Sequence, residues 1–570
     1  MRWNTYKRYL PIACIILLSG LFRFIYLDRI PNAINGDELL YAITAKSVWL
    51  TGHDITGTWN PLSAFMFRYP PNEKSAELPY FIQLPFSGPF PFSLFLAKLP
   101  FALLSMGIVI LIYGITKELF GASAGFAAGV VASINPWLVV TGRTGYESTP
   151  AVFFYLLALY VLLTAKNRKI LWSFIPIVLA FYSYIGTKLI LIPFVVLAAF
   201  LAYLQHGRKY KTQYAVFCLM SVIFVLGFVV LIKTSPTGSR ISELVLPNSP
   251  LVTARANEIR KTMASSSLLP FMTNNYVVYV QMISAKLARI FSPSYLFVDG
   301  DQFFLPAKLS FFYAVDCLFL VIGLCFLFFK KRPVLLIICL FAFMGTFPHL
   351  FHETMGDYSM HSTLMFPFLI MLIGAGIAGL VERMPKRLKL IGICIICCVY
   401  LFSVRNFRTV YFNQAPLVGY ADFPMRVLSR YLQIAKKQNM KIVVYSTTSG
   451  DFLKKYLFYT NMMTKQTMPL ITHINTGSRF EFDGVTFSSC DNAPVPNDTV
   501  AIYDALCDEH IQEPHIRIAR LIDAGDLYQI VHDKICSSYP LNPYPAGVTL
   551  NDFNINQLSE RRFCILYVAK

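Results

Sequence analysis

Two adjacent acids, Asp37 and Glu38, stand in the segment NAINGDELLYA, directly after the first long apolar run. A carboxylate held beside a membrane surface can take the proton of a hydroxyl as its oxygen attacks, which is general-base chemistry. The same pair reads as a helix start, because Asp is a good N-cap and Glu suits the first turn. The readings are compatible, since a helix that begins at Asp37 holds its acid rigidly. Adjacent helical side chains point in different directions, so at most one of the two is expected to be the base.

Isolated cations come next. Arg143, in TGRTGYESTP with Glu147 beside it, and Lys188, in YSYIGTKLILIP, occupy short turns between apolar runs. Arg23 lies near the end of the first run. Singly they read as side chains snorkelling to headgroups, or as an Arg143–Glu147 pair. Together they suit a lipid-linked phosphate, whose oxygens take charge-assisted hydrogen bonds from guanidinium and ammonium groups.

A third cluster, FPHLFHETMGDYSMHSTLMFP, holds His349, His352, Glu353, Asp357 and His361. It suits hydrogen bonding to a phosphate or a sugar, with a plain wet loop as the alternative. His352 and Glu353 leave a divalent metal open, but their spacing matches no compact metal motif. In FSPSYLFVDGDQFF, Asp299 and Asp301 read first as a turn and second as sugar contacts. The segment RYPPNEKSAELPYFIQLPFSG is too polar and proline-broken to span. It offers Glu73, Glu77, Tyr69, Tyr80 and Phe81 for sugar stacking or interface packing.

The elements that must position these groups are mostly apolar. Of 570 residues, 55% are hydrophobic and 14% charged, against about a quarter charged in soluble domains. Mean hydropathy is +0.53, which marks an integral membrane protein. Eleven runs are candidate spans, at about 10–27, 92–114, 122–141, 149–165, 170–184, 187–205, 213–233, 309–329, 333–348, 361–381 and 390–404. With the N-terminus inside, Lys and Arg gather in the inner loops MRWNTYKR, TKEL, KNRK, HGRKYK, KKRP and ERMPKRLK. That bias is the positive-inside rule, and it puts Asp37 on the outer face of a plasma (inner) membrane. It also accounts for the net charge of +19 without nucleic acid. The apolar run 10–27 lacks a small-residue cleavage site, so it reads as an uncleaved helix.

The long outer segments are 28–91, 234–308 (with a helix from Tyr276 to Ile290) and a polar tail from 405. In the tail KIVVYST, TVAIYDA, YQIVHDK and RFCILYV read as strands. GDFLKKYLFYTNMM and DEHIQEPHIRIARLIDAG read as helices, which together make a small α/β domain. Its cysteines, Cys490, Cys507, Cys536 and Cys564, allow three pairings in an oxidising compartment. The eight cysteines in the spans read as packing residues. Asp316, in YAVDCLF, is expected about two turns into its span, as a buried polar contact.

The order of these pieces resembles the GT-C glycosyltransferases of the protein O-mannosyltransferase and aminoarabinose transferase type. It is carried by the first-loop GDE, LPYFIQLPFSGPFPFSLFLAKLPFALL, TGRTGYESTPAVFFYLLALYVLL, AFYSYIGTKLILIPFVVLA, FSPSYLFVDGD and PHLFHETMGDYSMHSTLMFPFLIMLIGAGI. The resemblance covers roughly residues 10–420. It implies a GT-C transmembrane domain over 1–404 and an extracytoplasmic α/β domain over 405–570. It further implies a polyprenyl-phosphate sugar donor and an acceptor glycan, lipid or protein. The first-loop acid that serves as base maps to Asp37, with Glu38 beside it. Phosphate-binding cations map to Arg143 and Lys188, with His361 and His349 where relatives carry an Arg. One carboxylate and a group of cations suit an inverting displacement, and no glycine-rich nucleotide fingerprint is present. The rival readings are a lipid-linked glycan polymerase or ligase, a lipid or solute transporter, and a scaffold whose tail binds partners.

Overall fold

The computed structural model describes residues 2–57, 76–234, 246–263, 269–301, 303–352, 359–418, 422–474, 479–490, 496–507, 515–521 and 525–570. Glu73, Tyr69, Glu353 and Asp357 lie outside the described residues.

Among the described residues, five helical runs are long and apolar enough to cross a membrane. They are Leu94–Phe120, Gly186–Val230, Arg332–Leu350, Met365–Arg383 and Lys386–Leu417. Length and composition alone do not confirm the expected count of eleven, since Gly186–Val230 itself holds two helices and other apolar runs are short or bent. The run expected over 122–141 is two helices, Ala122–Ile134 and Pro136–Gly142, bent by 57°. Asn135 makes the break: its Oδ1 accepts the Leu138 amide at 3.0 Å and Pro136 follows it. Gly207, at φ 66°, ends the helix Leu191–His206, and Lys211–Thr234 packs back against it. Tyr9–Phe24 and Ser148–Thr164 are shorter apolar helices.

The helix Met365–Arg383 lies at the centre of the bundle, against Ala314–Lys330, Ala122–Ile134 and Arg332–Met344. A Cβ on Gly376 would sit 2.0 Å from the Phe319 carbonyl oxygen, and one on Gly323 2.1 Å from that of Leu372. The two backbones therefore touch, which only small residues permit. Asp316 is not two turns into its span. The helix begins at Ala314, and Asp316 closes a capping box with Tyr313 in the first turn. Its second oxygen accepts the Tyr400 hydroxyl at 2.5 Å. Five of the cysteines in apolar helices, Cys14, Cys325, Cys394, Cys397 and Cys398, are exposed on the bundle rather than packed within it.

The C-terminal part carries a six-stranded sheet: β1 (Lys441–Tyr445), β2 (Arg479–Phe482), β3 (Val485–Ser488), β4 (Thr499–Asp504), β5 (His515–Ala519) and β6 (Asp526–Val531). The spatial order is β2-β3-β1-β4-β6-β5. β1 runs parallel to β3 and β4, and the other pairs are antiparallel. Two expectations fail here. RFCILYV is helical, in Glu560–Tyr567, because Ser559 caps it and Phe563, Cys564, Leu566 and Tyr567 bury one helical face. HIRIA, expected within a helix, is β5, where Ile516 and Ile518 alternate inward. The β2–β3 hairpin was not foreseen, although Asp483-Gly484 supplies two positive φ values between alternating strands, the type I′ signal.

The helices Phe423–Lys437 and Ser449–Thr460 pack on each other and on the sheet side. Val427, Leu428, Tyr431, Leu432 and Ala435 form the buried stripe of the first. Their apolar core is continuous with Ile34, Leu39, Ala42, Ile43, Phe92 and Leu94 from the first loop and the start of the next helix. Cys490 pairs with Cys507 and Cys536 with Cys564, which selects one of the three pairings. The second bridge closes a separation of 28 residues. Replacing Cys536 and Cys564 together by Ser is expected to cost about 3–4 kcal/mol from lost loop constraint. A lowered thermal midpoint of the intact protein, insensitive to further reduction at that bridge, is the readout.

Candidate functional site

The first helix, Arg2–Phe24, ends inside the protein with carbonyls that no further turn can satisfy. One arginine meets this need, and a second does the same for the broken helix pair beside it. The Arg143 guanidinium donates to the carbonyls of Phe22 (2.9 Å), Arg23 (3.0 Å) and Ile30 (2.7 Å). It also lies over the rings of Tyr411 and Phe412. Arg23 donates to the Ser105 hydroxyl at 2.8 Å and the Ser133 carbonyl at 3.0 Å, at the end of the broken pair. Both side chains are wholly buried. Arg143 is therefore a bolt between segments, and neither it nor Arg23 snorkels to a surface.

That bolt fixes the chain that leads to the acids. The N-cap of the helix Gly36–Thr51 is Asn35, not Asp37. Asn35 Oδ1 accepts the Glu38 amide at 2.9 Å, and Glu38 Oε2 accepts the Asn35 amide at 3.4 Å, a reciprocal capping box. Glu38 is buried, with Lys98 Nζ 3.8 Å from Oε2. Lys98 also donates to the Ala33 carbonyl at 3.0 Å. A Cβ on Gly145 would meet Glu38 Cγ at 2.7 Å, so the TGYES turn closes over this carboxylate only because it carries a glycine there. Burial pushes the Glu38 carboxyl up to about 6, while Lys98 and the Asn35 amide pull the other way. Glu38 is thus a buttress, and Asp37 is the exposed acid of the pair.

Asp37 and Tyr41 are one helical turn apart, on one face. Burial, Glu147 and Asp37 push the Tyr41 phenol well above its usual range. Its hydroxyl donates to Glu147 Oε2 at 3.3 Å, and the same oxygen accepts the Ala76 amide at 3.0 Å. Next to Ala76, Glu77 accepts Lys188 Nζ at 3.1 Å, and that ammonium lies among Phe181, Tyr182 and Phe228. Tyr80 packs edge-on to Tyr41 at 5.3 Å. Hydrogen bonds therefore lead from Tyr41, one turn from the exposed acid, through Glu147 and Glu77 to a cation.

The histidines fall on the neighbouring elements. His361 Nδ1 is hydrogen-bonded to the Tyr184 hydroxyl, and its ring stacks on His352 at 4.4 Å. Lys286 reaches the same place, donating to the His352 carbonyl at 2.7 Å. His349 is buried in the turn Phe347–Leu350, which packs against the turn holding Lys188. Asp301 is buried and accepts the Phe303 and Ser359 amides, each at 2.8 Å, so it ties two loops together. Asp299 is exposed and accepts the Ser294 hydroxyl. A cavity of about 620 Å³ opens beside them, lined also by Arg289 and Tyr295. Among the described residues, no group of three or more His, Cys, Asp or Glu side chains could hold a metal ion.

Lys98, Tyr41, Tyr184 and Lys286 were not singled out from the sequence. Lys98 carried a signal, a lone cation inside the apolar FLAKLPF. Tyr41 is readable only once the helix phase is known.

Residues 78–232 match a family model described as dolichyl-phosphate-mannose-protein mannosyltransferase. The matched segment contains Lys98, Arg143, Glu147, Tyr184 and Lys188. The chain is 32% identical over 136 residues, 23% of its length, to the Bacillus subtilis (strain 168) protein YkcB, which carries a provisional mannosyltransferase name. It spans 18% of that relative. Solved structures with a similar course include the oligosaccharyltransferase AglB of Archaeoglobus fulgidus, in complex with an inhibitory peptide and a dolichol-phosphate. That likeness has a TM-score of 0.49 and 10% identity, covering 88% of this chain and 70% of that one. ArnT from Cupriavidus metallidurans, bound to undecaprenyl phosphate, gives a TM-score of 0.41 at 12% identity, covering 92% and 98%.

Removing Arg143 strands three carbonyls, each at about 1–3 kcal/mol. Arg143→Ala is expected to lower thermal stability and yield, and Arg143→Lys to restore them in part. For Glu38, a folded pKa of about 6 against an ordinary 4.5 means that the folded state holds the proton more tightly. Its contribution is greatest below about 4.5, falls as pH rises to about 6, and is level above. Relative to Glu38→Gln, the wild type should lose stability as pH rises through that window. Thermal midpoints of the two proteins between pH 4 and 7 test the sign.

Proposed function

We propose that this protein transfers a sugar from a polyprenyl-phosphate-linked donor to an acceptor hydroxyl at the outer face of the plasma (inner) membrane. The carrying observation is that one acid, Asp37, is exposed at the start of a capped helix, while its neighbour Glu38 is buried as the cap. Tyr41, Glu147 and Glu77 then lead to Lys188 inside the segment of mannosyltransferase type. The clustering of Lys and Arg in alternate loops supports an inside N-terminus. It also supports an outer position for the Asp37 helix and for the α/β domain, which we take to span 405–570.

In this reading the acceptor oxygen bonds to the anomeric carbon as the bond from that carbon to the phosphate oxygen breaks. The electron pair leaves with the phosphate, and the hydroxyl proton passes to Asp37. Attack opposite the leaving group inverts the anomeric centre. The phosphate needs no general acid, because it is already a weak base, and nearby cations can stabilise its charge. Lys188, Lys286, His352, His361 and the Tyr184 hydroxyl are the groups assigned to it. Arg143 is omitted, its guanidinium being buried in three carbonyls. The acceptor is a glycan, lipid or protein hydroxyl.

Transfer of labelled hexose from polyprenyl-phosphate hexose to an envelope-extract acceptor tests the assignment. Asp37→Asn is expected to cut kcat about 100-fold or more while the donor KM changes little. Transfer at the wild-type rate by the variant would refute Asp37 as base.

A further inference from the structure

The seam between the α/β domain and the bundle holds a half-open cavity of about 180 Å³. Its polar lining includes Asp28, Arg426, Asn554, Asn556 and Gln557, with Ser93 and Tyr459 beside them. Its apolar wall includes the rings of Phe92 and Phe458, with centroids 4.9 Å apart and planes tilted by 34°. Phe92 comes from the bundle side and Phe458 from the domain, so the cavity exists only when the two are docked. Asn461, on the domain, donates to the Phe92 carbonyl at 3.2 Å and holds that register.

The chemistry of this lining selects a class of ligand. Three side-chain amides each present a donor and an acceptor, and the carboxylate accepts. Planar groups of this kind suit adjacent hydroxyls, while ring faces suit the C–H face of a sugar. The Asp28 carboxylate is already paired with Arg29 Nε at 3.2 Å, which leaves Arg426 as the one lining cation that could draw a phosphate. Its guanidinium is already placed on the carbonyls of Asn32 (2.6 Å) and Phe553 (2.7 Å). Drug-sized pockets occupy roughly 300–1,000 Å³, and this smaller cavity admits one ring rather than a chain.

We propose that the seam cavity binds one neutral pyranose ring, as the sugar terminus of the acceptor. Its lining is bonded to the backbone that leads into the candidate site. Arg426 holds the Asn32 carbonyl, and Tyr459, another lining residue, accepts the Ile34 amide at 3.0 Å. Asn35 and its capping box follow at once. The word acceptor rests on the transferase reading, and the binding of a sugar does not.

The test uses the full-length protein in lipid nanodiscs. Methyl glucoside, galactoside and mannoside are titrated by saturation-transfer NMR, and a hexosyl diacylglycerol in the nanodisc is tried as a competitor. Saturable binding of at least one hexoside is expected. It should weaken about tenfold or more in the double variant Asn556→Ala, Gln557→Ala, as the loss of two hydrogen bonds requires. Both altered side chains are exposed, and an unchanged thermal midpoint confirms folding. Competition by the glycolipid assigns the ring to a lipid headgroup, and its failure to a soluble glycan; either supports the site. No saturable binding, equal affinity in the double variant, or displacement by inorganic phosphate would overturn it. Sugar binding that persists in Asp37→Asn while transfer is lost supports both readings. Sugar binding together with normal transfer by Asp37→Asn sinks the base assignment alone.

Discussion

Backbone carbonyls that end inside an apolar bundle must find donors, and in this protein a buried guanidinium supplies them. Arg143 gathers the carbonyls of Phe22, Arg23 and Ile30, so the first helix, the first-loop segment and the TGRTGYES turn are locked to one another. Water cannot substitute at that depth, and each unpaired group would cost on the order of kcal/mol. Arg23 does the same for the broken pair around Asn135. The position of everything downstream of Ile30 follows from that lock.

Downstream lies a division of labour between two neighbouring acids. The Asn35 cap fixes the helix phase, and the phase sends Glu38 inward to Lys98 and Asp37 outward. A buried carboxylate next to an ammonium is costly to desolvate, and a capping box with a nearby cation offsets part of that cost. What results is a rigid base for the exposed acid. Gly145 is part of the same arrangement, since any side chain there would collide with Glu38.

The α/β domain belongs to this arrangement rather than standing apart from it. Its core merges with Ile34, Leu39, Ala42 and Ile43, and its Arg426 and Tyr459 bond the backbone that enters the Asp37 helix. The first loop is therefore held from below by the bundle's arginines and from above by the domain. A helix start so held keeps its geometry without relying on flexible side-chain contacts of its own.

Much of this was legible in the chain, and the limits have physical causes. Composition, apolar runs and loop charges identified a membrane protein, because the bilayer imposes length and charge rules residue by residue. Of the six ordered motifs, three fall within the segment that matches the mannosyltransferase model. Local strand and helix patterns were clear for KIVVY and for Asn275–Ile290. They failed for HIRIA and RFCILYV, where a short apolar run fits both periods and only its packing partners choose between them. The sequence by itself determined that Asp37 and Glu38 begin a helix beside a membrane, and that Arg143 and Lys188 break the pattern of apolar turns. Tertiary structure alone decided which acid is exposed, that Arg143 is a bolt while Lys188 meets Glu77, and which cysteines pair. Those outcomes depend on which distant carbonyl, carboxylate or thiol reaches each group, and chain order does not encode distances between segments that only folding brings together.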